Sequence, residues 1–393
     1  MSGNDSPEKN ESDADATRQE ILELHEGGKI RMAPRRRLRS IEDLRKLYTP
    51  GVAHVSDLIE NNPDQYYNYT SAGNTIAVLT NGTAVLGLGD VGVKAAMPVM
   101  EGKGLILMEM VDVSTVPVLV DSHDAEEIVA TARNIAPTFG GILLEDIAAP
   151  TCFEVEDRLK ETTDIPVFHD DQHGTAVVVV AALASALEMT GREAGDLRAV
   201  ISGAGAGGCA VARFLLNYGV SDVVLCDSTG AIHEGRQEGM NPSKHAIAQM
   251  TNRENEKGSL ADVMRGKDLF IGLSVEGLVS KDMVRSMAPE PIVFPMANPV
   301  PEIWPAEALE AGAAAAEDGR NINNALGFPG LFRGALDSRA SEINEDMKVA
   351  ASHALADAAP EGELVPDFMD KNVHRSVAEA VARAARASGV AGR

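Results

Sequence analysis

Apolar residues recur along this chain in two rhythms. Short Val-, Ile- and Leu-rich runs read as strands buried on both faces, and longer stretches with apolar positions three and four apart read as helices between them. Pro117–Asp121, a helix over Ala125–Ile135 and the run Gly140–Leu144 form one strand–helix–strand unit. A helix over Thr151–Thr162 and a strand over Ile165–Phe168 follow. The apolar run after Gly174-Thr175 predicts a long buried helix ending at Thr190-Gly191, too short to span a bilayer and placed to connect two domains. Leu197–Ser202, Val223–Asp227, Asp268–Ser274 and Ile292–Met296 read as strands of a second sheet, and Ala-rich helices over Ser341–Ala358 and Val373–Ala387 close the chain. Nearer the start, Ile21, Leu22 and Leu24 precede Gly27-Gly28 as a helix ending in glycine, and Ser40 opens a short helix to Leu47. Asn74–Thr80 and Thr83–Gly89 flank Asn81-Gly82, which predicts a β-hairpin. Strands alternating with helices make the chain α/β, doubly wound in its second half.

Chemistry gathers at the ends of the strands. Glu145-Asp146 closes one apolar run, and Asp170-Asp171 closes the next. Neighbouring carboxylates repel, and burying them is costly unless a cation or a lysine sits against them. Such a set suits a hard divalent cation, although N-capping loop ends use the same residues. Gly203-Ala204-Gly205-Ala206-Gly207-Gly208 lies between a strand and a helix, with Asp227 at the end of the following strand, nineteen residues after Gly208. This is a dinucleotide-binding fingerprint: the glycines let a pyrophosphate approach a helix N-terminus, and the acid takes ribose hydroxyls. A second formal match, Gly87–Gly92, is followed by Pro98 and by no strand and acid at the right distance, so it reads as a tight turn passed closely by another segment. Lys103 leads into an apolar segment, where burial would lower its pKa. Tyr48 precedes a Pro50-Gly51 turn, and Asn298 and Asn323-Asn324 precede prolines in turns near the ligand edge.

Composition narrows the setting. The formal net charge of −24 argues against nucleic acid or an anionic membrane as partner. A surface so rich in carboxylates is what a protein working in high salt would use. The three cysteines, Cys152, Cys209 and Cys226, form neither a disulfide framework nor a zinc pattern, and the N-terminus has no export signal, which together predict a reduced, cytoplasmic protein. At 393 residues two domains are expected. We divide the chain into a disordered acidic tail (1–17), an N-terminal α/β domain (18–172), a dinucleotide-binding domain (173–345) and C-terminal helices (346–393) that pack back over the first domain.

Taken together, Tyr48–Val52, Thr83–Gly92 with Pro98–Lys103, Leu144–Ile147, Phe168–Ala176, Gly203–Gly208, Ala297–Pro299 and Asn323–Gly330 resemble the short bacterial and archaeal form of malic enzyme, in the family's order. The resemblance implies oxidative decarboxylation of L-malate to pyruvate and CO2 with NAD or NADP, dependent on Mg2+ or Mn2+. It places Tyr48 as the acid, Lys103 as the base with Asp170 beside it, Glu145, Asp146 and Asp171 as metal ligands, and Asn298 and Asn324 near nicotinamide and substrate. It also implies a homodimer or a multiple of one.

Two departures bear on detail. Many short malic enzymes carry a lysine where this chain has Thr229; its absence, together with Asp227, leans towards NAD. Some relatives carry a C-terminal phosphotransacetylase-like domain, and this chain ends before one, so regulation through it is not expected. A non-decarboxylating 2-hydroxy-acid or amino-acid dehydrogenase would need no divalent cation, and the carboxylate cluster argues against it. A nucleotide-sensing regulator that had lost the chemistry would show substitutions at Tyr48, Lys103 or the acids, and none is present.

Overall fold

In the computed structural model, which describes residues 17–85 and 88–392, the strands sort into two sheets. The first joins β1 (Thr75–Thr80), β2 (Ser114–Leu119), β3 (Gly141–Leu144) and β4 (Val167–His169) in the order β2-β1-β3-β4, all parallel. The second joins β5 (Arg198–Ser202), β6 (Asp222–Asp227), β7 (Gly230–Ala231), β8 (Leu269–Gly272), β9 (Ile292–Pro295) and β10 (Ala315–Ala316) in the order β10-β9-β8-β5-β6-β7. Only the β6–β7 pair is antiparallel. The strand order reverses at β5, so the crevice at its carboxyl end is where a ligand of this architecture sits.

The helices expected over Ala125–Ile135 and Thr151–Thr162 form with those bounds, and that expected near the start spans 17–25. Ser40 caps the helix Ile41–Leu47 by accepting from the N–H of Asp43. The tail expected over 1–17 lies, but for Thr17, outside the described residues.

The hairpin does not form. β1 instead lies between β2 and β3 with all of its residues buried, a place suited to its apolar run Ile76–Leu79 between two threonines. The segment after Asn81 has other uses for its hydrogen bonds: the N–H groups of Thr83 and Ala84 both donate to the carbonyl of Asp146, at 3.1 and 3.0 Å. Asn81 Nδ2 donates to the carbonyl of Ser122. The chain then turns back on itself between Val85 and Gly89, with Leu86 and Gly87 outside the described residues. The close approach falls on Gly82, where a Cβ would meet the backbone of Gly92 at 2.7 Å. Pro98 does not break the chain here either. The helix Val93–Val111 runs through it, without the backbone donor that proline lacks.

One helix holds the two halves together. Thr175–Thr190 buries eleven of its residues, packing on the helix Ala206–Tyr218 of the second half and on the C-terminal helix Glu345–Asp357. Counted with the turn before it, this helical run is long and apolar enough to cross a membrane, longer than its apolar core alone indicated, but most of it is covered by protein. Gly191 ends it in the left-handed conformation. Pro329 and Gly330 do not make a turn, as their sequence suggests, but open the helix Phe328–Ser338, where proline is tolerated in the first turn. That helix and Lys371–Ala387 pack on each other and against Val93–Val111 of the first half.

Candidate active site

The two acidic pairs meet. Glu145 and Asp146 follow β3, and Asp170 and Asp171 follow the neighbouring β4, so parallel pairing alone brings the four carboxylates to one edge. Asp146 adopts a left-handed backbone (φ 53°), which turns its own N–H onto Asp171 Oδ2 at 3.1 Å. Asp170–Gly174 coil as a single π-helical turn, a rare form concentrated at functional sites. Only glycine fits at 174, since a Cβ there would lie 1.8 Å from Asp170 Oδ1.

Lys103, from the helix Val93–Val111, reaches into this cluster. Its Nζ lies 3.0 Å from Glu145 Oε1, donates to Asp170 Oδ2 and stands 4.7 Å from the centre of the Phe328 ring. Burial pulls the ammonium's pKa down, as its apolar neighbours suggest, but Asp170 and Glu145 more than reverse this and hold it well above the ordinary lysine range. The expectation of a lysine depressed by burial is therefore corrected: the facing carboxylates outweigh the burial.

Among the described residues, no lysine or arginine other than Lys103 pairs with these carboxylates. Glu145, Asp146 and Asp171 each offer an oxygen within 4.8 Å of the others. Among the described residues, Glu145 Oε2 and Asp146 Oδ2 are buried with no hydrogen-bond partner. Burial, then the charge of Asp171, pushes the Asp146 carboxyl up to about 7. Buried oxygens that reject their own negative charge are what a divalent cation relieves, and an all-oxygen set suits Mg2+ or Mn2+. The residues present fit the ion.

Asn324 lies against the same turn, its Cβ 3.2 Å from where a Cβ on Gly174 would be. Two expected residues are not brought to the cluster within this chain. The Tyr48 side chain is 65% exposed and, among the described residues, has no hydrogen bond. Asn298 follows β9 and is exposed, without a contact to the carboxylates among the described residues.

The glycine turn of the dinucleotide half is built as the fingerprint predicts. β5 runs into Gly203, whose φ of 109° and approach to the carbonyl of Leu273 exclude a side chain. A Cβ on Gly208 would strike the carbonyl of Gly203 at 1.9 Å. Ala204 and Gly205 lead to the free N–H groups at the start of the helix Ala206–Tyr218, which no side chain caps. A Cβ on Gly207 would lie 3.2 Å from the carbonyl oxygen of Asp171, so the glycine turn abuts the turn that carries Asp170 and Asp171. A cavity of about 800 Å3 opens over this edge, lined by Gly203, Gly205, Asp227, Thr229, Lys244 and Ser274 among others.

Models of two domain families match the chain: malic enzyme, N-terminal domain, over residues 27–160, and malic enzyme, NAD binding domain, over residues 172–322. The chain belongs to the malic enzyme family. It is 49% identical to the bifunctional malic/malolactic enzyme of Bacillus subtilis, covering 95% of this chain and 94% of the relative. It is 48% identical to the NAD-dependent malic enzyme of Geobacillus stearothermophilus, covering 94% and 79%. Against the NADP-dependent malic enzyme of Rhizobium meliloti it is 43% identical, and there it spans only 53% of the relative's length. Among solved structures, the malic enzyme of Pyrococcus horikoshii superposes with a TM-score of 0.92 at 39% identity, covering 95% of this chain and 92% of that one. For the NAD-dependent malic enzyme of Thermotoga maritima the TM-score is 0.88 at 42% identity, covering 92% and 98%.

For a malic enzyme, one feature of the coenzyme site was missed by sequence reasoning. Asp227 does not stand free for ribose. Both of its oxygens accept from Arg236 Nη2, at 2.7 and 2.8 Å, and one accepts from Lys244 Nζ at 2.6 Å. Although burial opposes ionisation, the bonds from Lys244 and Arg236 hold this carboxyl below its ordinary range. Arg236 and Lys244 thus bring two cations beside Asp227, close to the place where Thr229 offers none. Relatives of both coenzyme types fall among the matches. Arg236 and Lys244 lie 9 and 17 residues beyond Asp227, a spacing that does not announce the contact.

Proposed function

We propose that this malic enzyme catalyses the oxidative decarboxylation of L-malate to pyruvate and CO2 with reduction of NAD or NADP. The observation that carries the reading is the buried Lys103–Asp170–Glu145 contact set beside three cation-seeking carboxylates, at the edge facing a dinucleotide crevice. Glu145, Asp146 and Asp171 would hold Mg2+ or Mn2+. Such a cation supplies a Lewis acid for the substrate's oxygens and offsets the carboxylate charge that keeps Lys103 protonated.

The chain's own groups divide the rest of the work. Lys103, once neutral, takes the proton of the C2 hydroxyl, and Asp170 fixes the amine in place. The glycine turn and Asn298 orient the coenzyme so that the C2 hydride passes to its nicotinamide ring. The keto acid then loses its C4 carboxylate as CO2. Tyr48 returns a proton to C3, giving pyruvate, and Asn324 holds the substrate's carboxylate.

Because Tyr48 is exposed here, we place it in the site of a second copy within a homodimer. Support comes from its surroundings: the helices Ile41–Leu47 and Val52–Asn61 bury no side chain, and Ile41, Leu44, Leu47 and Val52 stand exposed with it. A run of exposed apolar side chains of this kind marks an interface. The net charge of −24 supports a working environment of high salt, and three buried free thiols support the cytoplasm.

The test is L-malate with Mn2+ at high KCl, with NAD and NADP assayed separately and pyruvate followed beside reduced coenzyme. Equal yields of the two, abolished by EDTA, are expected. Reduced coenzyme with oxaloacetate and no pyruvate would overturn the decarboxylation and the roles of Tyr48 and the cation. A rate that falls as KCl is raised would overturn the high-salt reading.

A further inference from the structure

A second buried polar network lies under the π-helical turn, and the mechanism above uses none of it. Its hub is Glu156, on the helix Thr151–Thr162 and 3% exposed. The Glu156 carboxylate accepts from the backbone N–H of His169 at 3.3 Å, from Gln172 Nε2 at 2.9 Å, from His173 Nε2 at 3.0 Å and from Lys160 Nζ at 2.8 Å. Three of these donors belong to residues just before and just after Asp170-Asp171. One carboxylate therefore grips the peptide on both sides of the pair.

The far side of His173 is also held. Lys348, on the helix Glu345–Asp357 and 5% exposed, lies with its Nζ 3.2 Å from His173 Nδ1 and 5.7 Å from the centre of the Phe214 ring. An ammonium can only donate, so Nδ1 accepts and the ring proton sits on Nε2, facing Glu156. The bonds thus run in one direction, from Lys348 through His173 to Glu156. Ser352, one turn along, bonds the carbonyl of Val177 and ties the same helix to the start of Thr175–Thr190.

We propose that Glu156, His173 and Lys348 are positioning residues for the divalent cation: a buried strut from the C-terminal helices that sets where Asp171 stands. Burying three such groups is unfavourable unless each is satisfied, so the strut has one low-energy arrangement and the turn it carries inherits it. Outer partners of metal ligands typically alter cation affinity ten- to a hundredfold. The inference rests on the reading of Glu145, Asp146 and Asp171 as the cation site.

The experiment is Mn2+ titration of the full chain, free Mn2+ being read by electron paramagnetic resonance, alongside NADH binding by fluorescence. Glu156→Gln keeps the side chain's shape but replaces an acceptor oxygen with a donor. Its Mn2+ affinity should fall at least about tenfold while NADH affinity is kept, and kcat should recover at saturating Mn2+. Lys348→Met keeps the buried stem and carries the same expectation, so loss of folding in the Glu156 variant leaves the test in force. Lys348→Arg should restore affinity. Wild-type Mn2+ affinity in both variants, with only a lowered Tm, would overturn the proposal and leave the cation site standing. A wild-type chain that binds no Mn2+ would overturn the cation site itself.

Discussion

Lys103 Nζ lies 3.0 Å from Glu145 Oε1, so the group assigned as base leans on a group assigned to the cation. Mutation separates the two roles. Lys103→Ala should keep Mn2+ binding and lose turnover by about 10²- to 10⁴-fold. Asp171→Asn should weaken Mn2+ binding itself. Calorimetric Mn2+ titration beside a malate assay reads both, and equal Mn2+ loss in the two variants would merge roles kept apart here.

The coenzyme site yields a second expectation. With Lys244 removed, Asp227 keeps only Arg236 against its charge and repels a 2′-phosphate more strongly. Lys244→Ala should therefore lower kcat/KM for NADP relative to NAD by roughly tenfold, about 1.4 kcal/mol. An unchanged ratio would remove Lys244 from coenzyme choice.

Tyr48 is tested by mixing. If it serves a second copy, Tyr48→Phe and Lys103→Ala chains, each inactive, should regain part of the wild-type rate when refolded together, because one site of each mixed dimer is whole. A mixture no more active than its parts would return Tyr48 to its own chain or to a structural role.

Glu156 also marks the acid limb of stability. Burial opposes its ionisation, but His173, Lys160 and His169 hold its carboxyl well below the ordinary value of 4.5. A carboxyl lowered on folding stabilises the fold above its unfolded pKa, and that contribution is lost as pH falls through the folded one. The wild-type Tm should thus drop more steeply below about pH 4.5 than that of Glu156→Gln. Parallel curves would mean the carboxylate contributes nothing to the acid limb.

Much of this site could be read before folding because it rests on local order. Glu145-Asp146 and Asp170-Asp171 end apolar runs, and parallel strands in register are enough to bring them together. The glycine turn likewise carries its own geometry. Asn74–Gly89 misled because a fully buried central strand and one arm of a hairpin have the same composition; what decided between them was the carbonyl of Asp146, more than sixty residues away. Arg236, Lys244, Glu156 and Lys348 were silent for the same reason: a basic or acidic residue on a helix or in a loop looks solvated until the element packed over it is known. The ammonium of Lys103 was misjudged in sign because burial was legible and the facing carboxylates' distances were not.

The buried helix Thr175–Thr190 bears on how this protein can be handled. Its sides are claimed by the second half and by the C-terminal helices, and it is as apolar as a bilayer-spanning segment. A cut at the boundary between the halves would leave one fragment displaying an oily rod and the other the groove shaped for it. Neither piece should stay in solution alone, so work on the isolated coenzyme half would have to begin by redesigning that helix's surface.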